Sequence, residues 1–146
     1  MESGLTWYFA YGSNMDAERL FAERLVPEGV PAGPRIAGRL ENWLLAFNKQ
    51  ARSPAGAGAG NIMPRDGAVV HGTLNLLPAK GFAVLDRFEG VDGGHYERRT
   101  LAVRRGDSGT MVEAITYVAL KTGHGLRPTR DYLGHLLADL VGGGDT

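Results

Sequence analysis

Apolar positions along this chain follow two rhythms. Over residues 68–76, Val70, Leu74 and Leu76 alternate with His71, Thr73 and Asn75, the period of a half-buried strand. The same reading gives strands over residues 35–39 and 43–47, and a strand pair over 96–103 and 111–118 around the turn-rich Gly106-Asp107-Ser108-Gly109. Antiparallel pairing therefore dominates. Residues 78–90 change to the helical rhythm, with Pro78 opening the element and Gly90 closing it. Residues 129–141 form a last helix, with Tyr132, Leu136 and Leu140 on one stripe and Leu133, Leu137 and Val141 beside it. Residues 142–146 are expected to be a disordered end.

At the amino end the apolar run Leu5-Thr6-Trp7-Tyr8-Phe9-Ala10 breaks into Tyr11-Gly12-Ser13-Asn14-Met15. A strand that ends in a glycine turn exposes several backbone N–H groups together, and such a nest binds anions. Residues 16–25 then read as a helix with Ser13 or Asn14 as N-cap, which places a positive helix terminus beside the nest. Carboxylates and developing oxyanions belong there. The plain alternative is a tight strand-to-helix turn with no ligand.

Within the helix at 78–90, Phe82, Leu85 and Glu89 fall at i, i+3 and i+7, so Glu89 shares the face of the apolar residues that pack inward. Burial and the negative helix terminus both favour its protonated form, and carboxyls tuned this way suit proton transfer near neutrality. The competing reading is a solvated terminal carboxylate, or one paired with Arg98 or Arg99.

The run Tyr8-Phe9-Ala10-Tyr11-Gly12-Ser13-Asn14, followed by Leu85-Asp86-x-x-Glu89-Gly90-Val91, resembles the γ-glutamylcyclotransferase family, which is also grouped with the avirulence-induced proteins. The likeness extends to Asn61-Ile62-Met63-Pro64, Val70-His71-Gly72-Thr73-Leu74, Tyr96-Glu97-Arg98-Arg99 and Pro128-Thr129-x-x-Tyr132-Leu133, nearly the whole chain. It implies an α+β fold, a small mixed, mainly antiparallel β-barrel flanked by helices, with no cofactor. It also implies a catalytic carboxylate at Glu89. Tyr8, Phe9, Ala10, Tyr11, Gly12 and Ser13, with Asn14 and the helix-borne Tyr132, would line a γ-glutamyl pocket. Tyr117 is a further candidate wall and hydroxyl donor. Glutathione-specific relatives carry a hydrophobic residue where this chain has Asn14, which points to the branch acting on γ-glutamyl amino acids or amines. The chain also stops sooner after its last helix than the animal enzymes do, so leaving-group specificity does not carry over.

Composition narrows the choice. The 146 residues and 43% hydrophobic content fit a single domain with one core over residues 1–146. Sixteen basic and sixteen acidic residues give no net charge, which disfavours nucleic acid and anionic membranes as partners. With no cysteine there is no disulfide framework, thiolate metal site or cysteine nucleophile. The four histidines lack ligand spacing, so no metal site is expected. No apolar run reaches the roughly 18 residues of a spanning helix, and the expected location is cytoplasmic. The expected partner is a small γ-glutamyl molecule; a homodimer stays open. The Gly/Ala-rich residues 53–60 read as a mobile loop.

The expected reaction is cyclotransfer: the α-amine of a γ-glutamyl amino acid or amine attacks its own γ-carbonyl and releases 5-oxoproline. Two other readings remain. One is a binding module that uses the same charges without turnover. The other is a serine hydrolase built on Ser13, although the Gly-x-Ser-x-Gly elbow is absent.

Overall fold

The computed structural model describes residues 4–12, 18–31, 33–50, 57–120 and 127–128. After strand β1 (Leu5–Ala10) the described elements are a π-helix (Glu18–Leu25) and a single 3-10 turn (Val26–Glu28). Two long strands, β2 (Arg35–Gln50) and β3 (Ala57–Pro78), precede helix α1 (Ala79–Glu89). Strands β4 (Tyr96–Arg105), β5 (Met111–Ala119) and the two-residue β6 (Arg127–Pro128) complete the described chain.

The strand order is β1-β5-β4-β2-β3-β6, and β1 also pairs with β3, which closes the first five strands into a barrel. β1 makes both seams. It runs antiparallel to β3, from Leu5 opposite Pro78 to Ala10 opposite Thr73, and parallel to β5 at Trp7–Ala114 and Tyr8–Ile115. One parallel seam among antiparallel neighbours makes this a mixed, mainly antiparallel barrel with a helix against it, as the resemblance implies.

Alternation along β1 divides the apolar residues between two cores. Phe9 points into the barrel with Leu40, Ile62, Val70, Leu74, Val103, Ala114 and Val118. Tyr8 and Ala10 point outward, where Leu20, Phe21 and Leu25 of the π-helix and Phe82, Val84 and Leu85 of α1 cover them. A strand buried on both faces reads as an unbroken apolar run, and Tyr8, Phe9 and Ala10 are all buried. Gly72 makes the close approach possible: a Cβ there would lie 2.3 Å from the Ala10 carbonyl oxygen and 2.8 Å from Phe9 Cζ.

Two expectations need correction. The strands read at 35–39 and 43–47 are one strand, β2, interrupted by a bulge at Asn42, whose φ is 68°. Asn is among the few residues that tolerate this conformation, and its Oδ1 accepts a hydrogen bond from Gly67 N at 3.0 Å. Residues 57–60, read as loop, are the start of β3 and pair with β2 at Lys49–Ala59 and Gln50–Gly58. Ladder hydrogen bonds use only the backbone, so side chains too small to build a core still hold a hairpin. Residues 53–56 of that stretch, and the helix and end read at 129–146, lie outside the described residues.

Candidate functional site

The turn after β1 keeps the feature its sequence required: Gly12 is buried with φ 64°. Ser13, Asn14 and Tyr132 lie outside the described residues. The helix read over 16–25 is described from Glu18 as a π-helix, whose wider turn alters which residues share a face. It is continued by the 3-10 turn that ends at Gly29, with Val30 N donating to Leu25 O at 3.0 Å.

Helix α1 begins after Pro78 and ends as its sequence predicts, at Gly90 in the left-handed conformation (φ 69°, ψ 39°). Gly90 N donates to Arg87 O at 3.2 Å and Val91 N to Asp86 O at 3.0 Å, the paired bonds of a Schellman motif. Glu-Gly-Val is therefore a structural stop as well as a candidate chemical motif. The stop fixes Glu89 as the last helical residue, on the side that carries buried Phe82 and Leu85.

The Glu89 side chain is only 15% exposed, and its Oε2 stands 3.5 Å from Nη1 of Arg24, itself 14% exposed. Arg24 comes from the π-helix, and its guanidinium also lies 4.9 Å over the Phe88 ring. The competing sequence reading offers a solvated carboxylate, or one paired with Arg98 or Arg99. The structure gives Glu89 to Arg24, pairs Arg98 with Asp86 and sets Arg99 5.5 Å over the Trp43 ring. An ion pair needs the carboxylate ionised, so Arg24 works against the burial and helix dipole counted from the sequence.

One turn back on α1, Asp86 joins three elements. Arg98 of β4 forks onto it, Nε to Oδ1 at 2.8 Å and Nη2 to Oδ2 at 2.7 Å. Tyr117 of β5 donates its hydroxyl to Asp86 Oδ1 at 2.7 Å. Burial pushes the Asp86 carboxyl up, but the hydrogen bonds from Arg98 and Tyr117 outweigh it and leave it below the usual carboxylate value. Burial first, then the Asp86 hydrogen bond, drives the Tyr117 phenol far above its ordinary value. Its ring meets Tyr8 edge-on, centroids 6.0 Å apart, and its carbonyl accepts the Tyr11 hydroxyl. The turn that follows β1 is thus tied through Tyr117 to the helix that carries Glu89.

Of the residues named from sequence, the structure brings Tyr8, Ala10 and Tyr117 into one layer with the inward face of α1. Phe9 is not part of that surface, because alternation sends its side chain into the barrel. Tyr11 packs against the barrel core and donates its hydroxyl to the Tyr117 carbonyl. The Tyr117 hydroxyl, an expected donor, is directed to Asp86 Oδ1 in this structure. Residues not singled out from sequence are Arg24, Asp86, Thr116 and Asn75. Thr116 Oγ1 donates to Phe9 O at 2.8 Å. Asn75, fully buried, turns its Nδ2 toward Tyr8 O at 3.4 Å and Thr73 Oγ1 at 3.2 Å, while its Oδ1 has no partner among the described residues. The signal for Asn75 was its place in the alternation of β3, but period alone does not reveal that helices cover that face.

Among the described residues no cluster of three His, Asp or Glu side chains could hold a metal ion, and no helix is long and apolar enough to cross a membrane.

Residues 69–139 match the model of the AIG2-like family. No curated protein matches the sequence. Among solved structures the chain is similar to an uncharacterised human protein, with TM-score 0.81 and 22% identity over 97% of this chain and 82% of that one. It is also similar to a γ-glutamyl cyclotransferase, with TM-score 0.80 and 22% identity over 96% and 80% of the two chains. A yeast γ-glutamyl cyclotransferase specific to glutathione aligns with TM-score 0.69 and 11% identity, over 99% and 90%. At these identities the structures speak to the fold.

Proposed function

We propose that this chain, γ-glutamylcyclotransferase-like in fold and AIG2-like in sequence over residues 69–139, is a cofactor-independent γ-glutamyl cyclotransferase. Glu89 is the observation that supports the reading most: a largely buried carboxylate, fixed beside Arg24 by the helix stop that ends α1.

Cyclisation asks little of a protein. The nucleophile and the carbonyl belong to one molecule, so holding the bent conformer supplies most of the proximity advantage. Glu89, as carboxylate, takes a proton from the α-ammonium. The amine attacks the γ-carbonyl carbon, and the new C–N bond closes a five-membered ring. Glu89 then returns its proton to the departing nitrogen as the old C–N bond breaks. The ring nitrogen gives up its second proton on becoming a lactam amide, that proton passes to the departing amine, and the amine leaves as an ammonium with 5-oxoproline as co-product. Backbone N–H groups of the turn at Tyr11 and Gly12 answer the negative charge that the site must hold. Tyr8 and Ala10, with Ser13, Asn14 and Tyr132 from the family resemblance, complete the pocket in this reading.

Incubation with a panel of γ-glutamyl amino acids and amines tests it, with 5-oxoproline as the assayed product. Binding without turnover would favour the non-catalytic module, which keeps the anion nest and uses Glu89 to hold an ammonium.

A further inference from the structure

Arg24 and Glu89 hold opposite charges 3.5 Å apart with both side chains more than four-fifths withdrawn from water, and a buried charge pair is by itself a weak source of stability. A cation and an anion held side by side at the edge of the proposed site match the head of an α-amino acid, which carries an ammonium and a carboxylate on one carbon. The guanidinium is a planar fork of five N–H donors suited to carboxylates, and its seat over the Phe88 ring fixes where that fork lies.

We propose that Arg24 binds the α-carboxylate of the γ-glutamyl group while Glu89 receives the α-ammonium, an inference that rests on the cyclotransferase reading. Two consequences follow. The backbone N–H groups at Tyr11 and Gly12 are left for the oxyanion that forms at the γ-carbonyl. Substrates are γ-glutamyl compounds with an ionised α-carboxylate, and those with that group amidated are rejected.

The test uses γ-glutamyl-alanine and its α-carboxamide, which keeps the ammonium and the scissile bond and loses only the charge. Alanine release gives kcat/KM for both with the wild-type chain, Arg24→Gln and Arg24→Lys. Loss of Glu89's counterion touches both substrates alike, so the acid-to-amide ratio isolates the contact with the carboxylate. The wild-type protein should prefer the acid by about 10–100-fold, the scale of a hydrogen bond to a charged group. Arg24→Gln should bring that ratio within about threefold, and Arg24→Lys, which keeps the charge and loses the fork, should fall between. An equal loss on both substrates with the preference intact would overturn the inference. If Arg24→Gln does not fold, the Arg24→Lys ratio decides: a severalfold drop supports the assignment and an unchanged ratio rejects it. If the wild-type chain releases alanine from neither compound, the cyclotransferase reading fails. Calorimetric binding of L-glutamate against L-isoglutamine then still reports whether Arg24 selects the carboxylate.

Discussion

The hydroxyl of Tyr117 donates to Asp86 Oδ1 across 2.7 Å, and this bond joins the barrel wall to the helix one turn before Glu89. Arg98 completes the junction from β4. Tyr117→Phe leaves Asp86 with Arg98 and should cost about 1.5–3 kcal/mol, the worth of a hydrogen bond to a charged group. Urea unfolding midpoints at neutral pH check it.

The same junction predicts opposite dependence on pH at the two ends of the scale. Asp86 is lowered below its ordinary 3.8 in the folded chain, so its contribution is present above that value and lost as pH falls through the folded one. Tyr117 is raised above its ordinary 10.0, so the unfolded chain ionises first and stability declines as pH rises past about 10. Asp86→Asn should flatten the acid limb, and Tyr117→Phe the alkaline limb, of stability plotted against pH.

Gly72 separates steric need from conformational need. An added Cβ would meet the Ala10 carbonyl oxygen at 2.3 Å, so Gly72→Ala should cost more than about 3 kcal/mol or prevent folding. Gly109 has φ +77° and open space around it, and Gly109→Ala should cost only about 1–2 kcal/mol, the left-handed penalty. Thermal melts of the two variants give the comparison, and similar values would contradict the packing described between β1 and β3.

How legible these features were depends on how local they are. Gly90 and Glu89 were readable because a Schellman stop is written in consecutive residues. Arg24 was not, because its meeting with Glu89 joins two elements far apart in sequence and the π-helix does not follow the ordinary helical phase. Asn42 hid the continuity of β2, since a polar residue between apolar runs looks the same whether it ends a strand or forms a bulge. Phe9 was grouped with Tyr8 and Ala10 because an unbroken apolar run carries no sign of which side faces which core. The outward burial of Asn75 depends on helices that the period of β3 cannot report.

Ser13→Ala divides cyclotransfer from serine hydrolysis. In cyclotransfer the backbone N–H survives, activity falls only in part, and the product is 5-oxoproline. In hydrolysis activity disappears, and the parent chain yields glutamate. Mass spectrometry of the product from the wild-type chain distinguishes the two even before the variant is made.

The central claim is that Glu89 carries the proton. Glu89→Gln preserves the shape of the side chain and removes its ability to accept and return one, so formation of 5-oxoproline from a γ-glutamyl amino acid should fall by about 10²–10⁴ or more. The measurement is kcat/KM of the folded Gln variant against the parent chain, with circular dichroism and the melting transition confirming that both are folded. A loss on that scale with the fold intact is the result predicted here; a well-folded Glu89→Gln protein that turns over at near wild-type rate would contradict it.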